Sequence, residues 1–424
     1  MAKTITGKQV GDSYYQVEHP SGLTVLLYPK EHCSTTYAIF GTRYGSIDNC
    51  FQRSDEAGPE SVPEGIAHYL EHKLFESEEG DAFERFSKTG ASANAFTSFE
   101  STCYLFSTTD QVYQSLEILL DFVQSPYFTE ETVRKEQGII GQEIKMYDDD
   151  PQWRVMFNYL KAMYHSHPIR EDIAGTVESI AKITPELLYR CYNTFYNLGN
   201  MVLAIAGNFQ VDKALAVCDK MLKPAAPVTV KRVFPQEPDT IVQPVVEERL
   251  SVASPLFQFG FKEPGADQPR SEKDVAATEV LLETLASDAS PLFRQLLDQG
   301  LVNESSFSYE YFEGNGYATV MFSGESKDPQ AVAQAILEEV ERFQREGIPA
   351  EAFERSKRAL YGELVAALNS TGSIANGLVN MHLKGRELFT YIDSLASLRL
   401  EDGEERLRKV FQRERSVLSV ILPH

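Results

Sequence analysis

Glu64-Gly65-Ile66-Ala67-His68-Tyr69-Leu70-Glu71-His72-Lys73-Leu74-Phe75 places two imidazoles and a carboxylate at i, i+3 and i+4. On an α-helix these three positions share one face. Two neutral histidines one turn apart can grip one zinc ion at about 2.0–2.1 Å. A glutamate beside them can act on a water held by that ion. The order, His-x-x-Glu-His, is the reverse of the commoner His-Glu-x-x-His. The flanks predict a helix: Ser61 and Glu64 have capping-box spacing, and Pro63 sits where a first turn would begin. Ala67, Leu70, Leu74 and Phe75 supply an apolar stripe. The bland alternative is a surface helix that happens to carry two histidines. With only eight histidines in 424 residues, so close a pairing weighs towards metal.

Working outward, the chain is long enough for two domains of roughly 200 residues each. Hydrophobic residues make up 42% and charged residues 24%, a globular balance. No run approaches the roughly 20 apolar residues of a membrane helix. The first residues lack the apolar core of a signal peptide, so a cytoplasmic location is expected. The net charge of −22 argues against nucleic-acid binding, because phosphates would be repelled. Cys33, Cys50, Cys103, Cys191 and Cys218 are odd in number, widely spaced and without a Cys-x-x-Cys. They are expected to be reduced, mostly buried thiols, and none suggests a nucleophile.

The first half opens with strand-like runs at 22–28 and 36–42, then the histidine helix. A short helix over 81–88 ends near Gly90, and a strand pair follows at 93–98 and 101–106. Helices are expected at 111–124, 129–147, 152–163 and 184–195, and a buried strand at 200–207. Pro-rich breaks at 223–227 and 235–238 mark a linker over 223–246. The second half repeats the order: a strand at 256–262, helices at 274–286 and 291–299, and strands at 305–312 and 316–323. Long helices at 329–345 and 350–368 and a closing strand at 416–422 complete it. The expected architecture is α+β: two homologous α/β-sandwich domains, each a mainly antiparallel sheet packed with helices. The domains would span 1–222 and 247–424. The second-half helix that matches His68–His72 has no histidine, so only the first half can carry this metal site.

Hydrolytic zinc usually takes three protein ligands and a water. On the helix over 129–147, Glu136 and Glu143 are seven apart, two turns along one face. One could ligate while the other supports a histidine N–H. The competing reading is a solvated acidic face, and periodicity alone does not choose.

The stretch Gly65–Phe75, the segment Gly90–Ser98 with Thr102 and Tyr104, the pair Glu136-x6-Glu143, Ile173–Thr176, Asn200–Leu203 and Gly207 together resemble the pitrilysin family. This inverzincin family includes insulysin and the mitochondrial processing peptidase, and the likeness is nearest to its short bacterial YmfH-type members. The resemblance covers nearly the whole chain. It implies a zinc metalloendopeptidase in which His68, His72 and Glu143 bind Zn2+, Glu71 is the general base and Glu136 is a second acid near the site. It also implies that Asn94, Ala95 and Phe96 form an edge strand to which an extended peptide substrate adds by backbone hydrogen bonds. Without the resemblance, Asn94 reads as a turn residue and Phe96 as a core aromatic.

One part of the family pattern is missing. Active members supply an arginine and a tyrosine, seven apart, from the second domain. Ungapped alignment on Gly300-Leu301 puts Leu296 and Asn303 there; Arg294, Tyr309 and Tyr311 are nearby but out of register. Split sites occur in the family, so the resemblance implies a heterodimer with a homologous subunit, closing like a clamshell on a short peptide, with a homodimer as the alternative. Competing readings are a non-catalytic binding or scaffold subunit, and purely structural zinc. The latter conflicts with the absence of cysteine ligand spacing.

Overall fold

The computed structural model describes residues 2–424 except 79, 225, 227, 266 and 267. The chain forms two compact units, and neither is continuous in sequence. The first comprises 1–144, 171–233 and 365–390; the second comprises 145–170, 234–364 and 391–424.

The first unit is built on a seven-stranded sheet in the order Ala2–Thr6, Ser13–Glu18, Thr24–Pro29, Met201–Gly207, Thr36–Thr42, Thr102–Thr108, Ser92–Thr97. Every pairing is antiparallel except Met201–Gly207 with Thr24–Pro29. Met201–Gly207 is buried along its whole length, which accounts for its unbroken apolar run. Ser92–Thr97 alternates exposed and half-buried residues, as an edge strand does.

The second unit has a five-stranded sheet in the order Val245–Leu250, Ser416–Pro423, Leu256–Lys262, Tyr317–Glu325, Ser308–Gly314. Its one parallel pair is again the first strand with the last, and the remaining pairings are antiparallel. Counting from Thr24 in one unit and Val245 in the other, both sheets run first, last, second, fourth, third. The duplication expected from element order is therefore present at the level of strand pairing.

Helices cross the sequence boundary between the halves. Thr371–Leu383 packs on the Met201–Gly207 and Thr36–Thr42 strands of the first unit. Pro151–Met163 packs on the Ser416–Pro423 and Leu256–Lys262 strands of the second. A division at 223–246 therefore separates the two sheets but not all the helices that cover them.

Within 223–246, the described residues are anchored by specific bonds. Val230–Arg232 pairs with Cys50–Arg53 in the first unit. In the second unit the Glu237 carboxylate accepts the backbone N–H groups of His165, Ser166 and His167. Lys262, 2% exposed, donates to Glu237 at 2.6 Å and to the carbonyls of Met163, Pro238 and Thr240. A buried ammonium is tolerable because every donor has an acceptor. Ala225 and Pro227, in the first Pro-rich break, lie outside the described residues.

His167 carries a consequence for stability. Its Nε2–H donates to the Asn315 carbonyl at 2.9 Å, and its Nδ1 accepts the Ile169 N–H at 3.1 Å. Both nitrogens are committed to the neutral tautomer, and burial pushes the pKa down from 6.5 to about 4. The folded state therefore resists a proton that the unfolded state takes up. The contribution is intact above pH 6.5 and is lost as pH falls towards 4, reaching about 3 kcal/mol. Urea midpoints of the wild type and of His167→Gln, followed across this window, should show the smaller pH dependence in the variant.

Candidate metal centre

The histidine helix spans Ile66–Leu74 and starts behind Gly65, whose φ of 84° suits a residue without a Cβ. A Cβ there would lie 2.2 Å from the Ala174 carbonyl oxygen, and one on Gly175 would lie 2.6 Å from the Glu64 carbonyl oxygen. The Ile173–Thr176 segment thus packs directly on the start of this helix. Ser179 Oγ also donates to the Glu64 carbonyl at 2.9 Å. The expected capping box of Ser61 and Glu64 does not form. Ser61 belongs to a short strand, Glu60–Ser61, and the helix begins three residues after Pro63 with no side-chain cap. Backbone contact with a distant loop replaces a local side-chain cap.

Glu136 and Glu143 lie on the helix Glu130–Asp148. Tyr69, buried on the histidine helix, donates its hydroxyl to the Val133 carbonyl and ties the two helices together. His68 Nε2 stands 3.6 Å from Glu143 Oε1, and His72 Nε2 stands 3.4 Å from Glu143 Oε2. One ligand atom from each of the three lies within 4.8 Å of the others, and no other such group occurs among the described residues. These separations exceed the roughly 2.7–3.2 Å of a good hydrogen bond. Ligands about 2.0–2.1 Å from a tetrahedral zinc stand roughly 3.3–3.4 Å apart, so the donors sit at metal spacing.

Glu136 Oε1 lies 3.0 Å from His72 Nδ1. That contact holds the Nδ1 proton and turns the Nε2 lone pair towards Glu143. Glu136 thus stands behind a histidine, and Glu143 stands between the two. Burial, then the neighbouring His72, pushes the His68 pKa down to about 3, which keeps that imidazole neutral. Burial also acts to lower the pKa of His72, but the Glu136 hydrogen bond and the carboxylates of Glu71 and Glu143 outweigh it and raise the value. Burial raises Glu71, against the Thr97 hydrogen bond and His72, while Glu143 adds to the rise. Three carboxylates around two imidazoles leave an excess of negative charge that a divalent cation balances. The donor set, its spacing and its charge all fit zinc.

Glu71 is 9% exposed, and its Oε2 accepts the Thr97 hydroxyl at 2.8 Å. Cys103, Tyr104 and Tyr196 are buried in its neighbourhood. Strand alternation sets Asn94 and Phe96 on the face opposite Thr97, where both are exposed, Phe96 by 40%. Ala95 is half-buried, and its N–H is taken by Asn94 Oδ1 at 2.9 Å. Phe96 is therefore no core aromatic, and Asn94 lies inside a strand rather than a turn.

In the second unit the corresponding helix, Glu272–Ala286, is mostly buried. Its Glu279 and Glu283 accept the hydroxyls of Tyr391 and Tyr309. Leu296 is fully buried, and Asn303 Oδ1 accepts from Ser306 N and Ser305 Oγ at 2.9 Å. Arg294 is largely exposed and faces Asp298 at 3.5 Å, while Tyr311 donates to Glu263 at 2.6 Å.

Two family profiles match the chain. "Insulinase (Peptidase family M16)" covers residues 60–177, and "Peptidase M16 inactive domain" covers residues 182–360. A protein named uncharacterized zinc protease YmfH, from Bacillus subtilis, is 39% identical over 100% of both chains. The chain belongs to the M16 peptidase family. A solved structure described as an M16-like peptidase from Alicyclobacillus acidocaldarius superimposes with a TM-score of 0.92 at 36% identity, covering 100% of this chain and 98% of that one. A protein named "Probable mitochondrial-processing peptidase subunit beta, mitochondrial", from Arabidopsis thaliana, is 24% identical over 77% of this chain and 63% of its own. In this M16 chain, sequence reasoning passed over Thr97 as a partner of Glu71. The available signal was its alternation with Ala93 and Ala95 on one strand face, but nothing local links that face to the histidine helix.

Proposed function

We propose that the chain is a zinc-dependent endopeptidase subunit that hydrolyses short or unfolded peptides together with a homologous partner. One observation carries this reading: His68 Nε2, His72 Nε2 and the Glu143 carboxylate converge at metal spacing beside a buried Glu71. These three residues would hold the ion, and Glu136 orients the His72 ring through Nδ1. When bound, zinc supplies an acidified water and polarises the peptide carbonyl. Glu71 takes the proton of the attacking water and delivers it to the leaving amine. Burial suits it to the task, because a raised carboxylate pKa makes it a better proton acceptor. Asn94, Ala95 and Phe96 offer a strand edge to an extended peptide, with affinity from backbone hydrogen bonds.

The partner supplies what this chain lacks. Leu296 is buried and apolar and Asn303 closes a turn, so neither offers the cation and phenol that a developing oxyanion needs. A relative named as a subunit supports an assembly of this kind. The same deficit favours, as a second reading, a zinc-binding scaffold subunit that assists another enzyme. Metal analysis and cleavage of an internally quenched, unstructured peptide, with and without a co-purifying homologous subunit, separate the two. A single chelatable zinc and cleavage that requires the partner are expected. Full activity of the chain alone would remove the partner requirement, and cleavage by the metal-stripped protein would refute the zinc mechanism.

A further inference from the structure

We infer that Thr97 is a positioning residue that holds the Glu71 carboxylate in its working orientation; this rests on the reading of Glu71 as the general base. Thr97 closes the edge strand Ser92–Thr97, and its register places it opposite Thr102. Alternation along the strand turns Ala93, Ala95 and Thr97 to the side on which the histidine helix packs. From that side Thr97 meets Glu71 with its hydroxyl 2.8 Å from Oε2. A β-branched residue in a strand has few side-chain rotamers, so the hydroxyl stays aimed.

The proton inventory fixes the direction of this bond. Thr102 is fully buried and donates its only hydroxyl proton to the Tyr44 carbonyl at 2.9 Å. Its oxygen, 3.4 Å from Thr97 Oγ1, offers no competing donor. Thr97 therefore points its single proton at Glu71, whose ionised carboxylate only accepts. One carboxylate oxygen is pinned and the other is left for the reacting water. The base is held from the strand proposed to receive the substrate, so a peptide paired along that strand is in register with the group that acts on it.

The test compares Thr97→Val, an isostere without the hydroxyl, with Thr97→Ser, which keeps it. Full-length protein, with its homologous subunit where one co-purifies, is assayed on an internally quenched unstructured peptide. Thr97→Val is expected to lower kcat about 10–100-fold, with KM and zinc content unchanged. Thr97→Ser restores turnover, and Thr97→Val adds no further loss to Glu71→Gln. Crystal structures supply a readout independent of turnover: the Glu71 carboxylate leaves its single orientation in Thr97→Val and keeps it in Thr97→Ser. The inference is overturned if Thr97→Val retains the wild-type kcat or an unmoved Glu71, or if Thr97→Ser is as slow as Thr97→Val. Wild-type turnover by Glu71→Gln would instead overturn the base assignment, so the two failures are told apart.

Discussion

Glu71→Gln is expected to lose peptide hydrolysis by about 10²–10⁴-fold while keeping its zinc. The change is close to isosteric and leaves His68, His72 and Glu143 in place, so the metal donors converge as before. The amide oxygen can still accept from Thr97, so the side chain stays where the carboxylate was. What disappears is the ability to take a proton. Loss of turnover with full metal content therefore assigns Glu71 to proton transfer rather than to binding. Measured zinc stoichiometry together with kcat decides the matter. A Gln variant that hydrolyses peptide at the wild-type rate would remove Glu71 from the mechanism, and one that loses zinc would make it part of the metal site.

Residues 1–233 produced alone are expected not to fold cooperatively, although they contain every proposed ligand. The sheet that supports the metal site is covered by the helix Thr371–Leu383. Ile374, Leu378 and Val379 of that helix are each at most 2% exposed. At about 1.5–3 kcal/mol for each buried side chain, their loss amounts to roughly 5–9 kcal/mol. That is comparable to the whole stability of a typical domain, about 5–15 kcal/mol. Arg43 also donates to the carbonyls of Leu383 and His382, contacts that vanish with the helix. The truncation would in addition leave the helix Pro151–Met163 without the sheet it packs on, where the buried Tyr159 hydroxyl bonds Thr319 Oγ1 at 2.6 Å. Thermal unfolding and zinc binding of the fragment, with and without residues 365–390 supplied in trans, test this. A sharp unfolding transition in the bare fragment at the full-chain temperature would show that the exchanged helix is dispensable.

The exchange was not legible because its signal is not local. Thr371–Leu383 contains Gly372 and Gly377, poor helix formers, and only a short apolar stripe. The sequence suggests no element between 369 and 415, where the structure has three α-helices and a 3-10 turn at Arg413–Arg415 among the described residues. The parallel strand Val245–Leu250 straddles the end of the expected linker, and its sequence hides it because it alternates half-buried and exposed residues and carries two glutamates and an arginine. It forms because Ser416–Pro423, far away in sequence, provides its ladder. By contrast, Ser92–Thr97 and Thr102–Thr108 were found close to their true bounds, since a hairpin's pattern and turn lie within a few residues.

The metal site divides along the same line. That His68, Glu71 and His72 share a helix face follows from a 3.6-residue period, and Glu136 and Glu143 align for the same reason. Sequence alone therefore determined which residue types could meet and that only the first half holds them. It left open which glutamate faces the histidines and what steadies Glu71. Those answers depend on how one helix rests on another, fixed by the contact of Tyr69 with Val133, and on an edge strand whose Thr97 reaches across to Glu71. Local periodicity sets which side of an element a residue occupies. Only packing between elements distant in the chain decides what that side touches.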